Sequence, residues 1–106
     1  MSHRAPGLIP ALVRFPGAAA RQDAWGRLLE LTAGGAVLST AAPLAKGEDL
    51  TLSFELAGEE LRAVPAKVLH AEPDADGQTL ADLRFTDELS RRELSRRLLD
   101  ALARRL

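Results

Sequence analysis

The chain has 106 residues, 46% hydrophobic and 27% charged, with a net charge of −1 and no cysteine. That is ordinary composition for one globular domain with one modest core. It supplies no global basic field for nucleic acid or anionic lipid, and it excludes disulfides and thiolate metal sites. Aromatics are limited to Phe15, Trp25, Phe54 and Phe85, too few for a base-stacking platform. The apolar runs are far short of a membrane span, and the N-terminus carries no signal-peptide core. A reducing cytoplasm is the expected setting.

In chain order, residues 1–10 hold Pro6, Gly7 and Pro10 and read as an extended lead-in. Ala11–Phe15 reads as a short strand stopped by Pro16-Gly17, and residues 16–23 as a loop. Trp25–Leu31 reads as a second strand in which Gly26 hints at a bulge. Gly34-Gly35 marks a hairpin turn that calls for positive φ. Ala36–Thr40 reads as a third strand, followed by a loop over 43–47. In Asp49–Leu56 the residues Leu50, Leu52, Phe54 and Leu56 alternate with Thr51, Ser53 and Glu55, the period of a half-buried strand.

Ala57-Gly58 turns the chain into Leu61–Leu69, where Pro65 marks an edge or a bulge. Residues 72–78 read as a polar loop and Thr79–Phe85 as a sixth strand. The period then changes. Ser90-Arg91-Arg92-Glu93 matches a capping box. Leu94, Leu98, Leu102, Leu99 and Leu106 recur at helical spacing. Strands at intervals of roughly ten residues predict a barrel or sandwich. The expected fold class is all-β with one C-terminal α-helix: six antiparallel strands over 11–85, as a barrel or a sandwich, and a helix over 90–106, all one domain.

Candidate chemistry is thin. His3 and His70 have no metal-ligand spacing. Ser39, Ser53, Ser90 and Ser95 have no nucleophile-elbow context. No enzyme activity and no metal or other cofactor is expected. Arg91, Arg92, Arg96 and Arg97 crowd the helix. They read as a solvated face with Glu93–Arg97 as an i,i+4 pair, or as a basic docking surface for an acidic partner. Arg91 and Arg92 oppose the dipole at the helix start. Trp25 reads as core or barrel rim; if exposed, it is the best candidate for an interaction anchor.

Glu30-Leu31-Thr32-Ala33-Gly34-Gly35 resembles, with changes, the D/N-x-S-x-x-G signature of PilZ domains, bacterial receptors for cyclic di-GMP. Leu8–Phe15 is similar to that family's first segment. Ala66–His70 and Ala81–Thr86 are similar to two of its strands. The resemblance implies a six-stranded barrel with a C-terminal helix. It also implies a ligand site made of the signature turn and an R-x-x-x-R motif before the first strand. An Arg fork binds two acceptors at once, on phosphate or on a guanine edge.

Carried across, Arg4 takes the first Arg position and Leu8 the second. Glu30 stands for Asp or Asn, Thr32 for Ser, and Gly35 keeps its place beside Gly34. Losing one bidentate pair costs about 2–3 kcal/mol. Arg14 and Arg21 are the other arginines considered for that role. The expectation is a non-enzymatic bacterial signalling module acting by protein–protein contact, of the kind found around pilus function and motility, with cyclic di-GMP binding lost or weak. The alternative is a true receptor using Arg4, Glu30, Thr32, Gly34 and Gly35. A third reading is a homodimer built on the helix. No nucleic acid and no membrane insertion is expected.

Overall fold

The computed structural model describes residues 9–103. Six strands and one helix follow in order: β1 (Ile9–Arg14), β2 (Ala24–Leu31), β3 (Gly35–Thr40), β4 (Asp49–Leu56), β5 (Glu59–Pro73), β6 (Thr79–Phe85) and α1 (Glu88–Ala103). The strands form a closed antiparallel barrel in the order β1-β2-β3-β6-β5-β4, with β1 pairing β4 to close it. Alternation along each strand explains the interior. Leu50, Leu52, Phe54 and Leu56 of β4 are buried, as are Leu61, Val64, Ala66 and Val68 of β5 and Ala81, Leu83 and Phe85 of β6. Successive side chains point to opposite sides of the wall, so the inward set fills one core.

Antiparallel strands fix what lies at each end. The start of β1, the β2–β3 turn, the β4–β5 turn and the exit from β6 into α1 share one end, the helix end. The loops over 15–23, 41–48 and 74–78 share the other, the loop end. Thr40 is the buried polar side chain near the loop end; its hydroxyl donates to Trp25 O (3.0 Å) and accepts from Ala42 N–H (3.3 Å). Burial therefore strands no hydrogen-bonding group there.

Several boundaries differ from the sequence reading. Ile9 and Pro10 are not lead-in: they pair with Leu28 and Arg27. Glu72 and Pro73 are not loop: they pair with Leu80 and Thr79, so the loop shrinks to 74–78. The β2 irregularity falls between Leu28 and Glu30, not at Gly26. A Cβ on Gly26 would sit 2.8 Å from both Leu38 Cδ1 and Ser39 O. Gly26 therefore serves close approach of β2 to β3.

Pro65 has no sheet edge to occupy, because the barrel is closed. Its carbonyl accepts from Thr86 N–H (3.1 Å), just beyond β6. The N–H and C=O of a strand residue face the same neighbour. The missing Pro65 N–H therefore points past the last ladder bond of β6 and costs none. The adjacent bulge lies in β5 between the pairs Leu52↔Val64 and Phe54↔Leu61. There Ala63 takes φ 51° and its N–H donates to Ser53 Oγ (2.9 Å).

The helix begins earlier than the Ser90 capping box predicts. Asp87 is the cap: its Oδ2 accepts from Ser90 N–H (2.9 Å) and Ser90 Oγ–H (2.7 Å). The bonds from Ser90, side chain first, hold the Asp87 carboxyl below its ordinary pKa. Glu93 turns outward instead, to Arg96 and Arg97. The apolar stripe is also shorter than its spacing suggests. Leu94 is fully buried against the barrel and Leu98 partly so, while Leu99 (64%) and Leu102 (36%) face solvent. Leu106 lies outside the described residues. No helix among the described residues is long and apolar enough to cross a membrane.

Candidate functional site

The signature turn lies at the helix end, between β2 and β3. Thr32 organises it. Its Oγ1 accepts from Gly34 N–H (3.2 Å) and Gly35 N–H (3.1 Å) and donates to Gly35 O (3.3 Å). The Thr32 backbone N–H closes the turn onto Gly35 O (2.9 Å). A hydroxyl has one donor and two acceptor sites. All three are used inside the turn, so a ligand would have to displace a turn bond to reach it.

The glycines act differently from the positive-φ expectation. The described glycines with left-handed φ are Gly47, Gly58 and Gly77, not Gly34 or Gly35. A Cβ on Gly35 would sit 2.1 Å from Leu83 O and 3.2 Å from Leu83 C. β6 backbone occupies the space where a side chain would go. Gly34 has no such neighbour within 3.9 Å; its carbonyl accepts from Phe85 N–H (2.9 Å) and ties the turn to the end of β6.

Beside the turn is a shallow depression of 210 Å³ lined by Glu30, Thr32, Gly35, Ala36, Val37, Asp82 and Leu83. Val37 pairs with Glu30 on one side and Asp82 on the other. Directly opposed residues share a face, so the two carboxylates flank Val37 about 10 Å apart. Among the described residues they are the only charged groups in the lining. This lining accepts hydrogen bonds and repels phosphate. Asp82 was not legible as part of it. Its alternation with Ala81 and Leu83 marks it as outward, but only the β3–β6 pairing sets it across from Glu30.

Arg4 and Leu8 lie outside the described residues. Arg14 and Arg21 sit at the loop end, a strand length of about 25 Å from the turn. Arg14 Nε bonds Asp23 Oδ2 (3.0 Å). Arg21 donates to Pro43 O (2.6 Å), lies 3.4 Å from Glu48 Oε2 and stacks 4.1 Å above the Phe15 ring. It clamps two loops together and cannot stand in for a ligand arginine at the turn.

On α1, Arg97 bridges Glu93 (2.9 Å) and Glu59 (3.2 Å), which fastens the helix to the start of β5. Arg92 pairs with Glu88 (3.2 Å) and Arg96 with Glu93 (2.7 Å), both on the solvent side. The bonds from Arg96 and Arg97 hold the Glu93 carboxyl below its ordinary pKa. Arg91 has no side-chain partner among the described residues. Trp25 is 68% exposed, on the barrel wall rather than in the core.

The fold is shared with solved structures. The PilZ domain of YcgR from Escherichia coli, determined with c-di-GMP, matches with a TM-score of 0.74 at 17% identity, over 99% of this chain and 90% of that one. The PilZ domain of CeSA from a cellulose-synthesizing bacterium matches at 0.65 and 29% identity, over 96% and 99%. MrkH of K. pneumonia in its apo state matches at 0.71 and 15% identity, over 98% of this chain and 49% of that one. A comparison with curated protein sequences finds no match. The sequence profile of the PilZ domain family matches residues 1–105, and the chain belongs to that family.

Proposed function

We propose that this domain is a non-enzymatic bacterial signalling module that acts by protein–protein contact, with cyclic di-GMP binding lost or weak. The observation that carries this reading is the lining of the turn: two carboxylates and a hydroxyl whose bonding capacity is spent within the turn. A doubly anionic nucleotide gains nothing from Glu30 and Asp82 at its phosphates. The depression is also smaller than the roughly 300–1,000 Å³ usual for small-molecule sites. The arginine side of the motif is reduced as well, with Leu8 at the second fork position. The contact surface in this reading is the solvent face of α1, where Arg91, Arg92 and Arg96 are available. A cytoplasmic setting belongs to the same proposal.

The alternative is a receptor with a reduced motif, using Arg4, Glu30, Thr32, Gly34 and Gly35. It is favoured by the fold shared with a PilZ domain solved with c-di-GMP. Titration calorimetry separates the two. The expected result is no heat at roughly millimolar cyclic di-GMP. A micromolar dissociation constant that weakens on Arg4→Ala overturns the proposal. The double variant Leu8→Arg, Glu30→Asp is expected to gain affinity.

A further inference from the structure

A groove on the barrel wall is unrelated to the signature turn. It holds 340 Å³ and is lined by Pro10, Leu12, Trp25, Ser53, Phe54, Glu55 and Glu60. The register builds it. Leu12 lies directly between Trp25 and Ser53, and Glu55 lies opposite Glu60. Trp25 and Leu12 therefore make an apolar floor on β2 and β1, bordered by carboxylates on β4 and β5. The charged residues in the lining are both acidic. Glu55 is exposed and has no ion pair among the described residues, while Glu60 accepts a two-pronged bond from its exposed neighbour Arg62 (2.9 and 3.2 Å), a surface pair that can exchange. An exposed indole next to carboxylates favours a cation with an aliphatic companion, because the ring face and the acids both attract positive charge.

The molecule carries a matching surface. Leu89, Arg92, Arg96 and Leu99 are spaced by three, four and three residues on α1, so they share one helical face. That face points away from the buried Leu94. Leu89 is 74% exposed, and Arg92 and Arg96 carry exposed guanidiniums. Their partners Glu88 and Glu93 form solvent-side pairs of small net worth, which exchange readily. The dimensions agree. Leu89 to Leu99 spans about 15 Å along the helix axis. The groove crosses from β2 to β5, three inter-strand gaps of about 14 Å in all.

We propose that the α1 face of one copy docks in the Trp25 groove of a second copy. Leu89 would cover Trp25 and Leu12 at the β2 side of the groove, while Arg92 and Arg96, further along the helix, meet Glu55 and Glu60. The inference rests on reading α1 as a contact surface and names its partner. It is independent of the nucleotide. The two patches differ, so the contact either closes two-fold, each helix in the other copy's groove, or repeats head to tail into longer assemblies.

Trp25 is the only tryptophan in the chain and reports on its own groove. In sedimentation equilibrium at low salt, the average mass is expected to rise with concentration, and Trp25 emission to shift to the blue over the same range. Both effects should weaken as salt is added. Trp25→Ala should weaken association at least about tenfold. A charge-swap pair tests the register. Glu55→Arg with Glu60→Arg in one protein, and Arg92→Glu with Arg96→Glu in another, should each be monomeric alone and should associate when mixed. Circular dichroism of each variant checks that the barrel is intact. A constant monomer mass up to about millimolar protein, or association that survives both charge-swapped proteins separately, overturns the inference. The calorimetric test of nucleotide binding stands or falls apart from it.

Discussion

Two turns at the helix end of the barrel reverse the chain by different means. At Ala57-Gly58 both residues adopt left-handed φ, 53° and 81°. The backbone itself makes that turn, as hairpins with primed turns do. At Thr32–Gly35 the backbone of both glycines stays out of that region, and the Thr32 hydroxyl gathers two N–H groups instead. Glycine is needed at 58 for conformation and at 35 for space. The same residue type next to the same barrel end thus answers two physical demands.

The sharpest way to break this contrast is Gly35→Ala. Its methyl would meet the Leu83 backbone O at 2.1 Å, and that backbone cannot swing aside as a side chain would. A loss of about 3 kcal/mol is expected in urea denaturation, at the upper end of overpacking costs. A near-neutral result would mean that β3 can move off β6 and that the close approach is incidental. Thr32→Val comes next. It keeps the shape but leaves the N–H groups of Gly34 and Gly35 without their acceptor, at about 2 kcal/mol. Thr32→Ser should recover most of that. If valine and serine behave alike, the hydroxyl does not hold the turn.

Gly58→Ala is expected to cost about 1 kcal/mol, the steric penalty of left-handed φ, with open space around it. Acid offers a different lever on side-chain organisation. Asp87 does at the start of α1 what Thr32 does in the turn, but with a group that titrates. Its folded pKa is lowered, chiefly by the Ser90 hydroxyl bond. Its contribution is therefore complete above the ordinary aspartate pKa and is lost as pH falls through the lowered one. Far-UV circular dichroism should show α1 fraying in that acid range, and Asp87→Asn should flatten the response. Glu93, lowered first by Arg96, adds to the same acid transition. The smallest effect belongs to Gly34→Ala, within about 0.5 kcal/mol, because its neighbours stand 3.9 Å away.

Legibility followed the kind of physics involved. Period-two alternation placed β4 and β6 residue for residue, because each has one buried face and firm turn signals at its borders. The end of β5 was missed, since Glu72 and Pro73 look like loop residues and are strand only because β6 pairs with them. The helix start was misplaced by a competing cap: Ser90 matches the motif, yet it donates to Asp87 rather than capping the helix itself. The turn was found from its glycines, but the reason for Gly35 lies in Leu83, 48 residues on. Asp82 and the Trp25 groove were hidden for the same reason. Cross-wall neighbours depend on strand order, which no local pattern states.

The count of strands has a consequence of its own. Six is even, so the chain enters β1 and leaves β6 at the same pole of the barrel. With five or seven strands the helix would sit at the pole of the long loops, a barrel's height away from the point of entry. Parity therefore keeps the first strand's leading residues, the Thr32 turn and α1 in one neighbourhood. Whatever engages Ile9 and Pro10 or the Thr32 turn acts at the pole that carries the helix, and no message has to cross the packed interior.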